Sequence, residues 1–248
     1  METLLKVEGI NVYYGAIHAI KDVSFQVNEG EVVTLIGANG AGKSTILSLI
    51  CRNYDIQKGQ ILIDGIDIRH IKIASLRSHF GQMLQDVFLF AGDIRSNIVL
   101  RSDNVTDEDV WQACRYVNAD GFIRKLDGGL DEAVREQGNN FSAGQRQLLS
   151  FARTILHKPS VMILDEATAN IDTETEVLIQ DSLEKMKNIG TMLIVAHRLS
   201  TIQHADNIIL LSHGEIMEQG THQELLHLKG RYYQLYTLQF RKQQLQES

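Results

Sequence analysis

The feature that most constrains this chain is the glycine-rich octapeptide GANGAGKS at residues 37–44. It matches the pattern G-x-x-x-x-G-K-[ST]. It lies between the segment EVVTLIG, which predicts a buried strand, and the apolar run ILSLI, which predicts a helix. A chance glycine-rich turn is the alternative, but this strand–loop–helix context favours a phosphate-binding loop.

The loop has the residue types that are required to bind a nucleoside triphosphate. Glycines let successive backbone N–H groups converge on one anion, and the start of a helix adds a positive potential. Lys43 would supply a point charge to the β- and γ-phosphates, and the Ser44 hydroxyl would ligate Mg²⁺. The predicted nucleotide-binding residues are Asn39, Gly40, Ala41, Gly42, Lys43, Ser44 and Thr45.

A second motif, VMILDE at residues 161–166, is an apolar strand that ends in two carboxylates. The carboxyl ends of strands in α/β sheets face the crevice where ligands bind. We therefore predict that Asp165 holds Mg²⁺, largely through water, and that Glu166 is the general base that activates water. The alternative for an aspartate here is a cap on the following helix.

The remaining pattern predicts an α/β fold with a mainly parallel sheet. LLKVEGINVYY and AIKDVSFQV alternate as antiparallel strands, and a turn is predicted at Asp64–Gly65. From about residue 102 to 156 the periodicity becomes helical, and this block interrupts the alternation of strands and helices. We interpret it as an inserted helical subdomain.

Charge and hydropathy exclude several classes of protein. Twenty-four Lys and Arg residues against thirty-one Asp and Glu residues give a net charge of −7, which disfavours nucleic acid as a partner. No run of eighteen apolar residues predicts a membrane span, and the first residues lack the pattern of a secretory signal. Cys51 and Cys114 do not form a disulfide framework and are expected to be buried thiols.

A third motif gives the pattern a family resemblance. FSAGQRQ at residues 141–147 resembles the L-S-G-G-Q signature of ATP-binding cassette (ABC) ATPases. The resemblance implies a P-loop NTPase fold with an antiparallel β subdomain and four further roles. Tyr14 would stack on adenine, with Tyr13 as the alternative, and Gln85 would sense Mg²⁺ and the attacking water. Asp172 would cross a dimer interface, and His197 would reach the γ-phosphate. Gln85 as a solvated amide and His197 as a core histidine are the alternatives.

The signature has a physical logic of its own. Ser142 and Gln145 form a capping-box pattern that predicts the start of a helix. In the family, the signature of one subunit closes on the ATP held by another, which implies a head-to-tail homodimer or a pair of related ABC subunits. The residues carried over are Ser142, Ala143, Gly144 and Gln145, and Ala143 stands where the family has a glycine.

The two ends of the chain resemble different branches of the family. Residues up to about Lys43 resemble a branched-chain amino-acid importer ATPase, and those from about Asn53 resemble a multidrug-exporter nucleotide-binding domain. We hypothesise a hybrid, natural or constructed, with one unusual natural subunit as the alternative. The resemblance implies an ABC nucleotide-binding domain over residues 1–238, with a polar tail at 239–248. Its RecA-like core is predicted at about 1–85 and 157–220, and its helical subdomain at about 86–156.

The motifs predict a domain that binds and hydrolyses ATP with Mg²⁺. The resemblance implies that it powers a membrane-spanning transporter domain that this chain does not contain. We expect it in the cytoplasm or on the cytoplasmic face of the membrane. One alternative is an ATP-binding module with little hydrolysis when isolated. Another is a DNA-repair or chromosome-type ABC ATPase, which would need a long coiled-coil insertion that the sequence lacks.

Overall fold

The computed structural model of this 248-residue chain describes residues 2–83, 87–100, 104–165, 171–196 and 199–246, without the side chains of 199–200 and 239–246. Two compact units share the chain. The first comprises Met1–Phe80, Ile163–Glu166 and Thr191–Ser248, and the second comprises Gly81–Met162 and Ala167–Gly190. The boundaries predicted for the core, the helical subdomain and the tail stay a prediction.

An antiparallel sheet opens the first unit, as predicted. Strands β1 (Thr3–Tyr14) and β2 (Ile17–Asn28) form a hairpin in which Tyr14 pairs with Ile17. The sheet has the order β2-β1-β4-β5, with β4 at Lys58–Ile63 and β5 at Ile66–Asp67. Along β2, Val23, Phe25 and Val27 are buried and the residues between them are exposed. This period of two is that of a sheet with one buried face.

The larger sheet confirms the mainly parallel α/β prediction. Strand β3 (Val32–Ile36) pairs in parallel with β10 (Thr191–Val195) on one side and β11 (Asn207–Ser212) on the other. All five residues of β3 and of β10 are buried, as expected where helices cover both faces. The strand order is β12-β11-β3-β10-β9-β6, and the other strands are β6 (Phe80–Met83), β9 (Val161–Asp165) and β12 (Glu215–Gly220).

Helices of the first unit follow the strands. Helix α1 begins directly after the glycine-rich loop and buries Ile46, Leu49 and Ile50. Across the described part of the chain, no helix has both the length and the apolar character required to cross a bilayer. The helices are α1 (Lys43–Ile50), α2 (Ile73–Ser78), α8 (Leu199–Gln203), α9 (His222–Leu228) and α10 (Arg231–Gln246).

The second unit is mainly helical. One of its two longest described helices, α6 (Ala143–His157), ends at Lys158, which has a positive φ of 46° and precedes Pro159. Proline cannot continue a helix, and this accounts for the ending. The other elements are β7 (Gly92–Asp93), α3 (Ile94–Val99), α4 (Asp107–Tyr116), α5 (Asp120–Ile123), β8 (Ala133–Val134) and α7 (Thr173–Lys187).

Candidate functional site

The glycine-rich loop joins β3 to α1, and two of its glycines are required by space and backbone conformation. Gly37 has a φ of 151°, and a Cβ atom there would lie 2.3 Å from the carbonyl oxygen of Leu211. Gly42 has a φ of 106°, and a Cβ atom there would lie 2.6 Å from Cδ1 of Ile20. Any other residue would therefore displace the loop from its place against these neighbours.

The start of α1 is suited to an anion. Gly42 is its N-cap residue, no described side chain caps the helix, and its first turn contains no acidic residue. The N–H groups of the first turn therefore face the loop with the positive end of the helix dipole. Ser44 is exposed, Thr45 is half-buried, and Asn39 and Gly40 are exposed at the tip of the loop, whereas Ala41 is buried beneath it.

Lys43 directs its charge into the loop. The side chain is buried, and its ammonium Nζ donates hydrogen bonds to the carbonyl oxygens of Gly37, at 2.7 Å, and Ala38, at 3.0 Å. Burial lowers the pKa of Lys43, and the negative charge of Asp165 opposes that shift. Two of its three N–H donors are thus used to shape the loop.

The two predicted metal ligands of this unit meet. The Ser44 hydroxyl, at the start of α1, donates a hydrogen bond of 3.1 Å to Oδ2 of Asp165, at the end of β9. A hydroxyl and a carboxylate fit Mg²⁺, which prefers oxygen ligands and keeps several waters, so that few protein ligands suffice. Within the described residues, no group of three or more acidic, histidine or cysteine side chains is placed to hold a metal ion.

The tyrosines at the end of β1 differ in what surrounds them. The ring of Tyr13 stacks on that of His18, with 4.1 Å between centroids, and the residue is 37% exposed. Tyr14 is 49% exposed. A purine can stack on a ring only where a face is open. His18 thus occupies one face of the Tyr13 ring, and Tyr14 is the more exposed of the two tyrosines.

The signature residues lie in the second unit. Ser142 caps α6: its Oγ accepts a hydrogen bond from the N–H of Gln145, whose side-chain oxygen accepts one from the N–H of Ser142. The predicted capping box is thus confirmed as local structure. Ser142 is exposed, Ala143 and Gln145 are half-buried, and Gly144 is buried.

Asp172, also in the second unit, is the N-cap residue of α7. Its carboxylate accepts a hydrogen bond of 2.9 Å from the N–H of Thr175. That bond, together with one from the side chain of Thr175, lowers the pKa of Asp172. The exposed carboxylate therefore stays ionised and has a fixed orientation at the start of the helix. The predicted residues Gln85, Glu166 and His197 lie outside the described residues.

One supporting residue was missed by the sequence analysis. Gly214, in the turn between β11 and β12, donates its N–H to the carbonyl oxygen of Ala41 in the loop, at 3.1 Å. Its own carbonyl oxygen accepts the N–H of Lys21 at 2.8 Å. Its φ is 80°, and a Cβ atom there would lie 2.1 Å from the carbonyl oxygen of Ala19. The turn thus fastens the loop to β2. The only sequence signal for it is a glycine that follows an apolar run, and that signal does not show what the turn contacts.

Gly214→Ala is expected to destabilise the chain by about 2–3 kcal/mol, because it combines a strained φ with a backbone clash. Weaker MgATP binding should accompany the loss, since the support of Ala41 shifts. Urea unfolding and equilibrium dialysis measure the two effects. Gly65→Ala is the matched control, because Gly65 has a similar φ of 75° with nothing within 4 Å of the added Cβ. Equal effects of the two substitutions would contradict a supporting role for Gly214.

The chain matches proteins of one family. The sequence model described as ABC transporter matches residues 20–169. The chain is 48% identical over 227 residues to a probable multidrug resistance ABC transporter ATP-binding/permease protein of Bacillus subtilis, covering 92% of this chain and 34% of that protein. It is 40% identical over 243 residues to an ATP-dependent lipid A-core flippase of Syntrophus aciditrophicus, covering 98% of this chain and 40% of that protein.

A solved structure shares the fold. A bacterial Atm1-family ABC exporter with ATP bound matches with a TM-score of 0.89 and 36% sequence identity, over 96% of this chain and 42% of that chain. The present chain thus spans roughly a third to two fifths of the length of the relatives that it matches.

Proposed function

This chain belongs to the ABC transporter family, and from that premise we propose that it is the domain that binds and hydrolyses ATP to power transport across a membrane. The observation that carries the proposal is the contact between Ser44 and Asp165 beside the buried Lys43. It joins the phosphate-binding loop to the acidic end of a buried strand, so that one place offers an ammonium group, a helix N-terminus and oxygen ligands.

The residues divide the work of hydrolysis. Lys43 and the N–H groups of the loop hold the β- and γ-phosphates, and Ser44 and Asp165 would hold Mg²⁺, with Gln85 near it. When bound, Mg²⁺ neutralises charge on the phosphate oxygens. Glu166 takes a proton from the attacking water. The water oxygen bonds to the γ-phosphorus as the bond between that phosphorus and the ADP oxygen breaks. His197 donates a hydrogen bond to a γ-phosphate oxygen and stabilises the negative charge that this group carries in the transition state.

A second copy of this chain, or a related ABC subunit, completes the site. The start of α6 carries the positive end of a fifteen-residue helix, which suits a phosphate, yet the loop in the same chain already serves its own nucleotide. In a head-to-tail pair, Ser142, Ala143, Gly144 and Gln145 of each copy close on the ATP of the other, and Asp172 crosses the interface. Two ATP molecules then lie between the two copies.

Transport itself would require a membrane-spanning domain. One relative is named as an ATP-binding/permease protein and another as a flippase. We therefore propose that this chain acts on the cytoplasmic face of a membrane, against such a domain, and that closing and reopening of the pair moves it. An export direction follows the names of these relatives. Nucleic acid is not a proposed partner, since the chain carries a net charge of −7.

Removal of Mg²⁺ tests the hydrolytic proposal. Phosphate release from ATP should fall at least fiftyfold when EDTA replaces Mg²⁺, because without the ion the charge on the transferred group is not neutralised. Addition of excess Mg²⁺ should restore the rate. If the chain binds ATP but releases no phosphate with Mg²⁺ present, the ATP-binding module without useful hydrolysis is the correct alternative.

Tyr14→Ala is expected to weaken MgATP binding about tenfold, because stacking of a base on an aromatic ring contributes about 1–3 kcal/mol. The neighbouring substitution Tyr13→Ala is the matched control and should change the affinity less than about twofold, as the ring of Tyr13 already stacks on His18. Equilibrium dialysis with ATP measures both. The reverse ranking would assign the adenine to Tyr13.

A further inference from the structure

Gly144 of the signature is a glycine for a reason that lies within its own chain. A Cβ atom at Gly144 would lie 2.3 Å from Cγ2 of Thr175, 3.0 Å from its Cβ and 3.1 Å from Cγ2 of Ile171. Gly144 is in the first turn of α6 and has no positive φ, so the backbone conformation does not demand glycine. Glycine also lowers helix stability relative to alanine. The space that Thr175 occupies therefore accounts for the residue.

Thr175 is the third residue of α7 and directs the aspartate that precedes the helix. Its N–H donates the 2.9 Å hydrogen bond to the carboxylate of Asp172. Because Thr175 packs on Gly144 while its backbone holds Asp172, the position of α6 fixes the position of that carboxylate. The two motifs proposed to reach a partner's nucleotide are thus joined by one contact inside each copy.

A second attachment holds α7 in the same unit. The Asn118 side-chain amide donates hydrogen bonds to the carbonyl oxygen of Leu178, at 3.1 Å, and to the carboxylate of Asp181, at 2.7 Å. The hydroxyl of Ser182 donates to the carbonyl oxygen of Val117 at 2.8 Å. Asn118 and Val117 follow α4, so α7 is anchored to this turn as well as to α6. Rotation of α7 about either contact alone is resisted by the other.

We propose that Gly144 is a positioning residue whose lack of a side chain lets Thr175 lock the start of α7, and with it Asp172, to the signature helix. The signature and Asp172 then approach the partner copy as one body. This inference rests on the proposed ATP-dependent pairing. The alternative explanation is that Gly144 is needed only so that its backbone can approach a phosphate of the ATP bound by the partner copy.

A suppressor pair separates the two readings. In a Glu166→Gln background, Gly144→Ala is expected to weaken ATP-dependent pairing about thirtyfold, as overpacking of a close contact does, with MgATP affinity of the single copy unchanged. Adding Thr175→Ser removes Cγ2 but keeps the hydroxyl and the N–H, and should recover about tenfold of that loss. Recovery is partial because Cβ of Thr175 would still lie 3.0 Å from the new atom.

Two controls define the result. Gly121→Ala adds a methyl group to another helical glycine of this unit, with nothing within 4 Å, and should leave pairing within about twofold. Thr175→Ser alone should weaken pairing less than about threefold, since it deletes a single methyl group. Sedimentation velocity with ATP measures pairing for every variant. A double variant that pairs no better than Gly144→Ala would overturn the proposal, because removing the Thr175 methyl cannot help a backbone approach to the partner.

Unfolding tests the contact even without pairing. If the Glu166→Gln chain itself failed to pair, the proposed pairing would be wrong, and the inference would be tested by urea midpoints alone. Gly144→Ala should lower the midpoint, and Thr175→Ser should raise it again when added to Gly144→Ala. Additive losses of the two substitutions would show that the residues do not share this space, and the inference would fail.

Discussion

Lys43→Ala is expected to weaken MgATP binding by about a hundredfold or more and to bring hydrolysis below detection. A hydrogen bond from a charged group contributes about 1.5–3 kcal/mol, and each 1.4 kcal/mol is about tenfold in affinity. The alanine also deprives the carbonyl oxygens of Gly37 and Ala38 of the ammonium that holds them at 2.7 and 3.0 Å. Equilibrium dialysis with MgATP measures the affinity, and phosphate release measures the turnover.

Lys21→Ala is the matched control for Lys43→Ala. Lys21 lies on the neighbouring strand β2 and forms a partly exposed ion pair of 3.1 Å with Glu215. Its removal deletes the same charge near the loop but no donor to the loop carbonyls, and the affinity should change less than about threefold. If Lys43→Ala kept the affinity of the unaltered chain, the loop would not be the phosphate site and the proposed function would be lost with it.

Glu166→Gln is expected to lower phosphate release by about a thousandfold, the usual share of a general base, while MgATP binding is retained. The amide has nearly the shape of the carboxylate but cannot take the proton of the attacking water. ATP therefore stays intact between two copies, and the pair should accumulate. Size-exclusion chromatography with MgATP should show a species of twice the mass of the chain, which disappears when the nucleotide is omitted.

Glu184→Gln serves as the control for the loss of one carboxylate. Glu184 lies on α7 and forms an ion pair of 2.6 Å with Lys187, with 53% of its side chain exposed. Its substitution should leave turnover within about twofold, since the Glu184 side chain is exposed and has no proposed role in hydrolysis. Unchanged turnover in the Glu166→Gln chain would remove Glu166 from its proposed role. Lost turnover together with lost MgATP binding would instead indicate a disturbed fold.

Local sequence patterns were sufficient for much of this fold. The apolar run EVVTLIG predicted β3, which is buried along its whole length, and the spacing of Ser142 and Gln145 predicted the cap of α6. The turn at Asp64–Gly65 joins β4 to β5, and both residues have the positive φ that such a turn needs. Each of these features is decided by residues within a few positions of one another.

Contacts between distant segments could not be predicted in this way. Gly214 supports Ala41, and Thr175 fills the space beside Gly144, although neither pair is near in sequence. Periodicity shows which face of an element is buried but not which turn packs against it. A glycine in a tight turn and one in a helix therefore look alike until the neighbouring atoms are known.

The hybrid hypothesis concerns residues between Lys43 and Asn53. Helix α1 covers residues 43–50 of this stretch and buries Ile46, Leu49 and Ile50. Cores accept many combinations of apolar residues of suitable volume, so a hybrid and a single natural subunit would both pack in this way. The hybrid origin stays a hypothesis.

The Lys43 ammonium already donates hydrogen bonds to its own loop. A ligand that binds this ammonium must therefore replace those internal hydrogen bonds with its own. A molecule that draws the ammonium toward itself competes with two peptide carbonyls that are already in place. An uncharged nucleoside has no charged acceptor that could replace the two carbonyls, whatever its base stacks on. A weakly charged anion offers only slightly stronger acceptors. Only a ligand with several negatively charged oxygens binds the ammonium more strongly than the two loop carbonyls do. The loop itself therefore sets the minimum negative charge that a ligand must carry.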